Sequence, residues 1–271
     1  MAEPAFERLL RRDRVIVVAA LVSLTALAWG YILWLAAEMD MSGMDMTGMR
    51  MTGLGIMAPA RTPWHPAEFV FVFTMWVVMM IGMMAPSATP MILMYANAGR
   101  YAANSGRTYA STSWFAVGYF LVWAAFSLVA TFMQWTLERR ALLDPGMASA
   151  NGVLGGIVLV VAGVYQWSPL KNVCLRQCQT PLTFLMRHGG FRRNATGCVL
   201  LGLHHGMYCV GCCWALMALL FVGGAMNVLW IAVLALLVLV EKVTSIGGLI
   251  ARVSGLALMA SGTWLLTEQV L

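Results

Sequence analysis

Residues 67–95 read AEFVFVFTMWVVMMIGMMAPSATPMILMY, and between Glu68 and Arg100 the chain carries no Asp, Glu, Lys or Arg. About 20 consecutive apolar residues carry a helix across a bilayer core. In lipid every backbone N–H and C=O must find its partner within the segment, and the polar–apolar alternation of a barrel strand is absent, so this stretch is a helix. Working outward, six more apolar stretches stand at about 15–37, 113–137, 152–167, 197–222, 228–240 and 246–266. The expectation is an all-α, polytopic transmembrane helical bundle of about seven spans, or six if the short 228–240 stretch fails to cross. The second span is expected over 67–85, reaching Tyr95 only past a kink at Pro86 and Pro90.

Composition agrees. Of 271 residues 61% are hydrophobic and 10% charged, against about 25% charged in soluble proteins. This excludes a soluble globular domain, a disordered chain and a disulfide-stapled secreted module. Despite the net charge of +6 it also excludes a nucleic-acid binder, because the basic residues lie between the apolar stretches. With the N-terminus cytoplasmic, Arg8, Arg11, Arg12, Arg14, Arg100, Arg107, Lys171, Arg176, Arg187, Arg192, Arg193 and Lys242 fall inside, and Arg50, Arg61, Arg139 and Arg140 outside. The bias predicts a cytoplasmic segment over 1–14, a first transmembrane helix over 15–37, a Met-rich periplasmic loop over 38–66 and a metal-binding multi-span domain over 67–271, with 169–196 an inside connection. The first apolar stretch is longer than a secretory h-region and is read as a span, not a cleaved signal. Arg252 falls within the last stretch and needs a partner there.

The outer loop contains MDMSGMDMTGMRM, with Met39, Met41, Met44, Met46, Met49 and Met51 recurring among Gly, Ser, Thr and Asp. A thioether is a soft, neutral ligand that suits Cu(I) and needs no deprotonation; the bland alternative is a flexible loop lying on the membrane surface. His65 is at most an interfacial ligand beside it. In the second span Met75, Met79 and Met83 share one helix face at i, i+4 spacing, with Met80 and Met84 on the adjoining stripe. This stripe reads either as helix packing or as a ladder for a soft cation. In GLHHGMYCVGCCW (202–214), His205, Cys209, Cys212 and Cys213 stand at i, i+4, i+7 and i+8 and line one side of a helix, while His204 points about a quarter turn away. Imidazole and thiolates form a shell for Cu(I) or Zn²⁺, with softness favouring copper. Gly202, Gly206 and Gly211 leave room for another helix to bring further ligands. Cys174 and Cys178, four apart, present two thiols on one face; Cys198 either joins them or packs. Glu241, beside Lys242 where the chain reverses, is an ion or proton site, a partner for Arg252, or part of a plain charged turn.

The motifs MMxGMMAPSxTP, GVYQWSPLKxxCLxxC, GxHHGxYCVGCCWxLM and GxMNxxWxxxL…EK, in this order over about 68–266, resemble a bacterial family of predicted metal-binding integral membrane proteins, grouped as a domain of unknown function. One characterised kind of member is a membrane copper chaperone serving a bacterial tyrosinase. The resemblance implies metal handling in a bacterial inner membrane and suggests copper. It carries over to Met83, Met84, Pro86, Gln166, Pro169, Lys171, Cys174, Cys178, His205, Cys209, Cys212, Cys213, Asn227 and Glu241, and leaves the Met-rich loop outside the shared core. The reading that follows is a non-enzymatic copper chaperone that binds Cu(I), with zinc the other ion admitted, and passes it to a partner cuproenzyme or periplasmic copper carrier. A copper permease, a membrane thiol oxidoreductase and a structural subunit of a membrane complex are the alternatives. No nucleotide-binding motif supplies ATP hydrolysis.

Overall fold

A computed structural model describes residues 5–47, 64–104, 112–140, 142–143, 147–149, 152–192 and 194–269. Within them the chain is helical: α1 (Ala5–Thr47), α2 (Pro66–Asn104), α3 (Thr112–Arg139), α4 (Gly152–Gln166), α5 (Pro169–Gln179), α6 (Pro181–Arg187), α7 (Ala195–Ala218), α8 (Leu220–Gly223), α9 (Val228–Val243) and α10 (Gly247–Glu268). The described residues contain no strand, only an isolated bridge between Leu143 and Ser149. The all-α bundle is as expected.

The span count differs from seven. Five helical stretches are long and apolar enough to cross a membrane, and a sixth is added only if α4 and α5, bent by 64° at their junction, act as one broken span. The break has a local cause. Ser168 caps α5 by accepting a hydrogen bond from the Lys171 N–H at 3.1 Å, and Pro169 occupies the first helical turn, which ends one helix and starts the next. Helix α9, capped at its start by the Asn227 side chain, has 16 residues and rises about 24 Å, short of the ~30 Å core.

Two other expectations change. Helix α2 does not stop at Pro86 and Pro90 but passes through both to Asn104. The hydroxyls of Ser87 and Thr89 bond the Met84 and Ala85 carbonyls there, the kind of side-chain bonding that lets prolines sit inside spans. The 169–196 segment is not a plain connection. It holds α5 and α6, and α5 packs against α7 and α9 with Lys171, Cys174 and Leu175 buried. At the other end α1 runs on to Thr47, so its helix carries Met41, Met44 and Met46, consistent with the helix propensity of Met. The side chains of these residues, and Met49 and Met51 altogether, lie outside what the structure describes.

Glycines set the helix crossings. A Cβ at Gly202 of α7 would overlap the Phe115 carbonyl of α3, and one at Gly118 would overlap the Val199 carbonyl. In the α4–α10 pair, Gly156 and Gly163 face Gly262 and Gly255, each leaving space that a partner's carbonyl fills. Small residues are what allow backbones to approach this closely in lipid. The result surrounds α2 and α7 with α1, α3, α5 and α9. α2 and α7 run antiparallel, since Trp76 lies by Phe221, Met84 by the level of Cys209, and Tyr95 by Cys198.

Candidate metal centre

The α2 methionines line the interior. Met75, Met79, Met80, Met83 and Met84 are all at most 2% exposed, so both stripes face the bundle. The stripe that began near the Pro66 end of α2 ends at Met84, whose thioether lies 3.7 Å from the Lys242 ammonium.

That ammonium is the centre of the site. Lys242, from the last turn of α9, places Nζ 2.9 Å from Cys209 Sγ, 3.7 Å from Cys213 Sγ and 3.5 Å from Ser87 Oγ. The Tyr119 hydroxyl, brought in where α3 crosses Gly202 and Gly206, lies 3.0 Å from the same Cys209 sulfur. Cys178 lies on α5, which packs against α7. Cys174 seats its sulfur in the space left by Gly211, and the Tyr165 hydroxyl donates to the Gly211 carbonyl. Sulfur atoms from α2 and α7 thus meet around one buried positive charge, with the α5 cysteines on the neighbouring helix. A buried ammonium is costly unless polar groups solvate it, and here sulfur does so.

Among the described residues no three His, Cys, Asp or Glu groups are already spaced to close on a metal ion. The reason is visible in the rotamers. The Cys212 and Cys213 thiols donate back to the Cys209 carbonyl, each at 3.0 Å, so they are turned toward their own helix. These S–H bonds are weak, and rotation about χ1 is what would turn the sulfurs inward. All six cysteines are free thiols.

Other expected residues fall into place around this core. His205 is buried, walled by the Phe115, Tyr119 and Phe184 rings, and its Nδ1 is a buried nitrogen without a hydrogen-bond partner. His204 is exposed and turned away from the thiols. Cys198 does not join the other cysteines and instead meets the Tyr95 hydroxyl at 2.7 Å. His65 is exposed, its N–H bonded to the Glu68 carboxylate at the start of α2.

The expected Glu241–Arg252 pairing gives way to another. Glu241 forms a 2.6 Å ion pair with Lys171 and accepts from Gln166 Nε2 at 2.9 Å, while Lys171 also donates to the Gln166 side-chain carbonyl. Both Glu241 oxygens are therefore engaged within the protein. Arg252 is exposed in the second turn of α10, close enough to the helix end to reach out of the apolar layer. Lys242 and His188 are the residues that sequence reasoning did not assign to a site. The family profile described as a copper chaperone, PpoB2, matches residues 73–265. The chain belongs to this copper chaperone family. No curated protein and no solved structure matches it. Membership supports a copper-handling role, and the matched region contains α3 to α9 whole, with the Met ladder, all the cysteines and Lys242.

Proposed function

We propose that the chain is a membrane copper chaperone that takes Cu(I) at the α2 thioethers, holds it at Cys178, Cys209, Cys212 and Cys213 with Met84, and releases it by ligand exchange to a cuproenzyme or carrier. One observation carries this: two α7 thiols and an α2 thioether meet around a position already held by a cation, Lys242 Nζ. The donor set is soft, which favours Cu(I) over Zn²⁺ as the sulfur share rises. Thiols must lose protons to bind metal, so loading releases protons. His205, with its free ring nitrogen beside the cluster, is a further donor from the same helix. Glu241, already paired, is not part of the shell.

The test is Cu(I) loading of the detergent-purified chain under reductant, with silver and zinc as competitors, for wild type and for Cys209→Ser/Cys212→Ser/Cys213→Ser. Near-stoichiometric copper that resists zinc and is lost from the variant supports the reading; equal, low copper in both overturns it. The buried ladder from Met75 to Met84 also suits a permease. Net copper uptake into vesicles containing only this chain would favour that second reading.

A further inference from the structure

Away from the thiol cluster, on the open side of α7, two imidazoles face each other. His188, at the end of α6, and His204, on α7, have ring centroids 5.5 Å apart at 37°. Each ring is fixed in the same way. His188 Nδ1 bonds the Phe184 carbonyl at 2.8 Å and His204 Nδ1 bonds the Leu200 carbonyl at 2.9 Å. A carbonyl only accepts, so each Nδ1 carries its proton and the neutral ring presents an Nε2 lone pair. A metal-binding imidazole commonly has its other nitrogen engaged by such a carbonyl, which sets both tautomer and ring direction.

The surroundings hold this arrangement. Helix α6 closes with Gly189 and Gly190 at φ 81° and 75°, conformations that glycine tolerates, and the Gly190 N–H bonds back to the Leu185 carbonyl at 2.8 Å. The Arg192 guanidinium then donates to the His188 carbonyl at 2.6 Å. The Phe184 ring lies between His188, at 4.3 Å, and the buried His205, at 5.1 Å. His204 is exposed and His188 half-buried.

We infer that His188 and His204 form a second copper site, which binds Cu(I) in two-coordinate fashion between their Nε2 atoms. The inference rests on the copper-handling reading but not on the thiol shell. Metal–imidazole bonds of about 2 Å need the two Nε2 atoms about 4 Å apart, a separation within the range that rings with centroids 5.5 Å apart allow. The choice of ion follows from charge. Among the described residues neither His188 nor His204 has an acidic or thiol partner, and the Arg192 guanidinium is bound to the His188 carbonyl. A divalent ion would be left uncompensated, while a monovalent d¹⁰ ion content with two nitrogens fits. Along α7 the pair lies five residues from Cys209 toward the Arg192 end, on the far side of the thiols from the Met ladder, with His205 between. Imidazole holds Cu(I) less strongly than thiolate does, so the pair suits release from the surface of the bundle.

The experiment loads the full chain in detergent with Cu(I) alone and reads copper per chain and the X-ray absorption edge region. It compares wild type, His188→Gln/His204→Gln, each single His→Gln variant, and the triple Cys→Ser variant, with thermal unfolding as a check on folding. The expected result is that the paired variant and both single variants lose about one copper and the two-coordinate nitrogen scattering that belongs to it, keep the sulfur scattering with any His205 nitrogen beside it, and unfold as wild type does. The triple Cys→Ser variant is expected to keep the nitrogen-bound copper. Unchanged copper and nitrogen scattering in the paired variant overturns the site, as does loss of sulfur-bound copper in step with nitrogen. Nitrogen-bound copper without any sulfur scattering in wild type would leave this site standing and remove the thiol reading. No copper in wild type removes both, and displacement of the nitrogen-bound copper by equimolar Zn²⁺ overturns the choice of ion.

Discussion

Replacing Lys171 by Met should unfold the chain far more readily than a charge in the 169–196 connection would suggest. The Lys171 and Glu241 side chains are 0% and 2% exposed and 2.6 Å apart. At that distance the attraction is about 6 kcal/mol at an effective dielectric of ~20, and it is largely offset by taking both charges out of water. The pair is therefore of small net value, but half of it is not. Lys171→Met leaves the Glu241 carboxylate buried with Gln166 as its remaining side-chain donor, a loss of about 3–5 kcal/mol. The network also ties together four helices: Gln166 of α4 bonds Ser254 of α10 at 2.8 Å, and Gln179 of α5 bonds the Glu241 carbonyl of α9 at 2.7 Å. Its failure loosens α5 from α7, against which it packs. Unfolding in mixed detergent followed by tryptophan fluorescence measures the cost. Lys171→Met/Glu241→Met supplies the control, because an apolar pair of similar volume removes both charges and should return to within about 1 kcal/mol of wild type or exceed it. A single variant within about 0.5 kcal/mol of wild type, or a double variant as weak as the single, would refute the reasoning.

Three further outcomes are expected. Gly202→Leu pushes a side chain into the Phe115 carbonyl and should cost about 3 kcal/mol or more through overpacking, moving the Tyr119 hydroxyl away from the Cys209 sulfur, whereas Gly30→Ala, with nothing within 4 Å of its Cβ, should be neutral or gain up to about 1 kcal/mol; unfolding midpoints compare the two. Gln134→Leu removes the acceptor of the Trp76 indole N–H at 2.7 Å and the donor to Glu138 at 2.8 Å, and should cost about 1–3 kcal/mol in the same assay. Lys242→Met removes the cation from the sulfur cluster; if Cu(I) takes the place of Nζ, apparent affinity rises by about tenfold, or ~1.4 kcal/mol, in a chelator competition, and a fall instead would show that the ammonium supports the metal-bound state.

Much of the site was legible because a helix repeats every 3.6 residues. That periodicity alone groups His205, Cys209, Cys212 and Cys213, and all four are buried; it also turns His204 away, and His204 is exposed. Gly202, Gly206 and Gly211 could be read as close approaches, though not which helix comes near: α3 fills the first two and Cys174 of α5 the third. The start of α5 was written in Ser168 and Pro169, a cap followed by a first-turn proline, but Lys171 and Arg176 gave the segment the look of an exposed connection. Hydropathy counts residues without asking what they pack on, so Lys171 and Lys242 look like loop charges when both are buried. His188 has no motif of its own. Only the fold brings it from the end of α6 to the face of α7.

The order of donors along the bundle bears on how a charged cargo would be carried through an apolar layer. Thioethers are neutral, so a Cu(I) ion passing Met75, Met79 and Met83 keeps its full charge and has only polarisable sulfur around it; the ladder can lower the barrier but makes a shallow well. Thiolates cancel the charge, so under the proposed function the cluster at Cys209 is where the free energy would be lowest. A well that deep would trap the ion unless something competes for the same sulfurs, and Lys242 stands where a competitor must, 2.9 Å from Cys209 and at the end of a helix whose neighbouring residue, Glu241, is anchored to Lys171. The anchor keeps the backbone of α9 in place while leaving the Lys242 side chain as the movable part. Under the proposed function the Lys242 ammonium leaves the sulfurs as Cu(I) arrives and the thiols release protons, so the incoming charge is met by thiolates instead of being added to a resident cation, which lowers the cost of holding it in a low-dielectric layer.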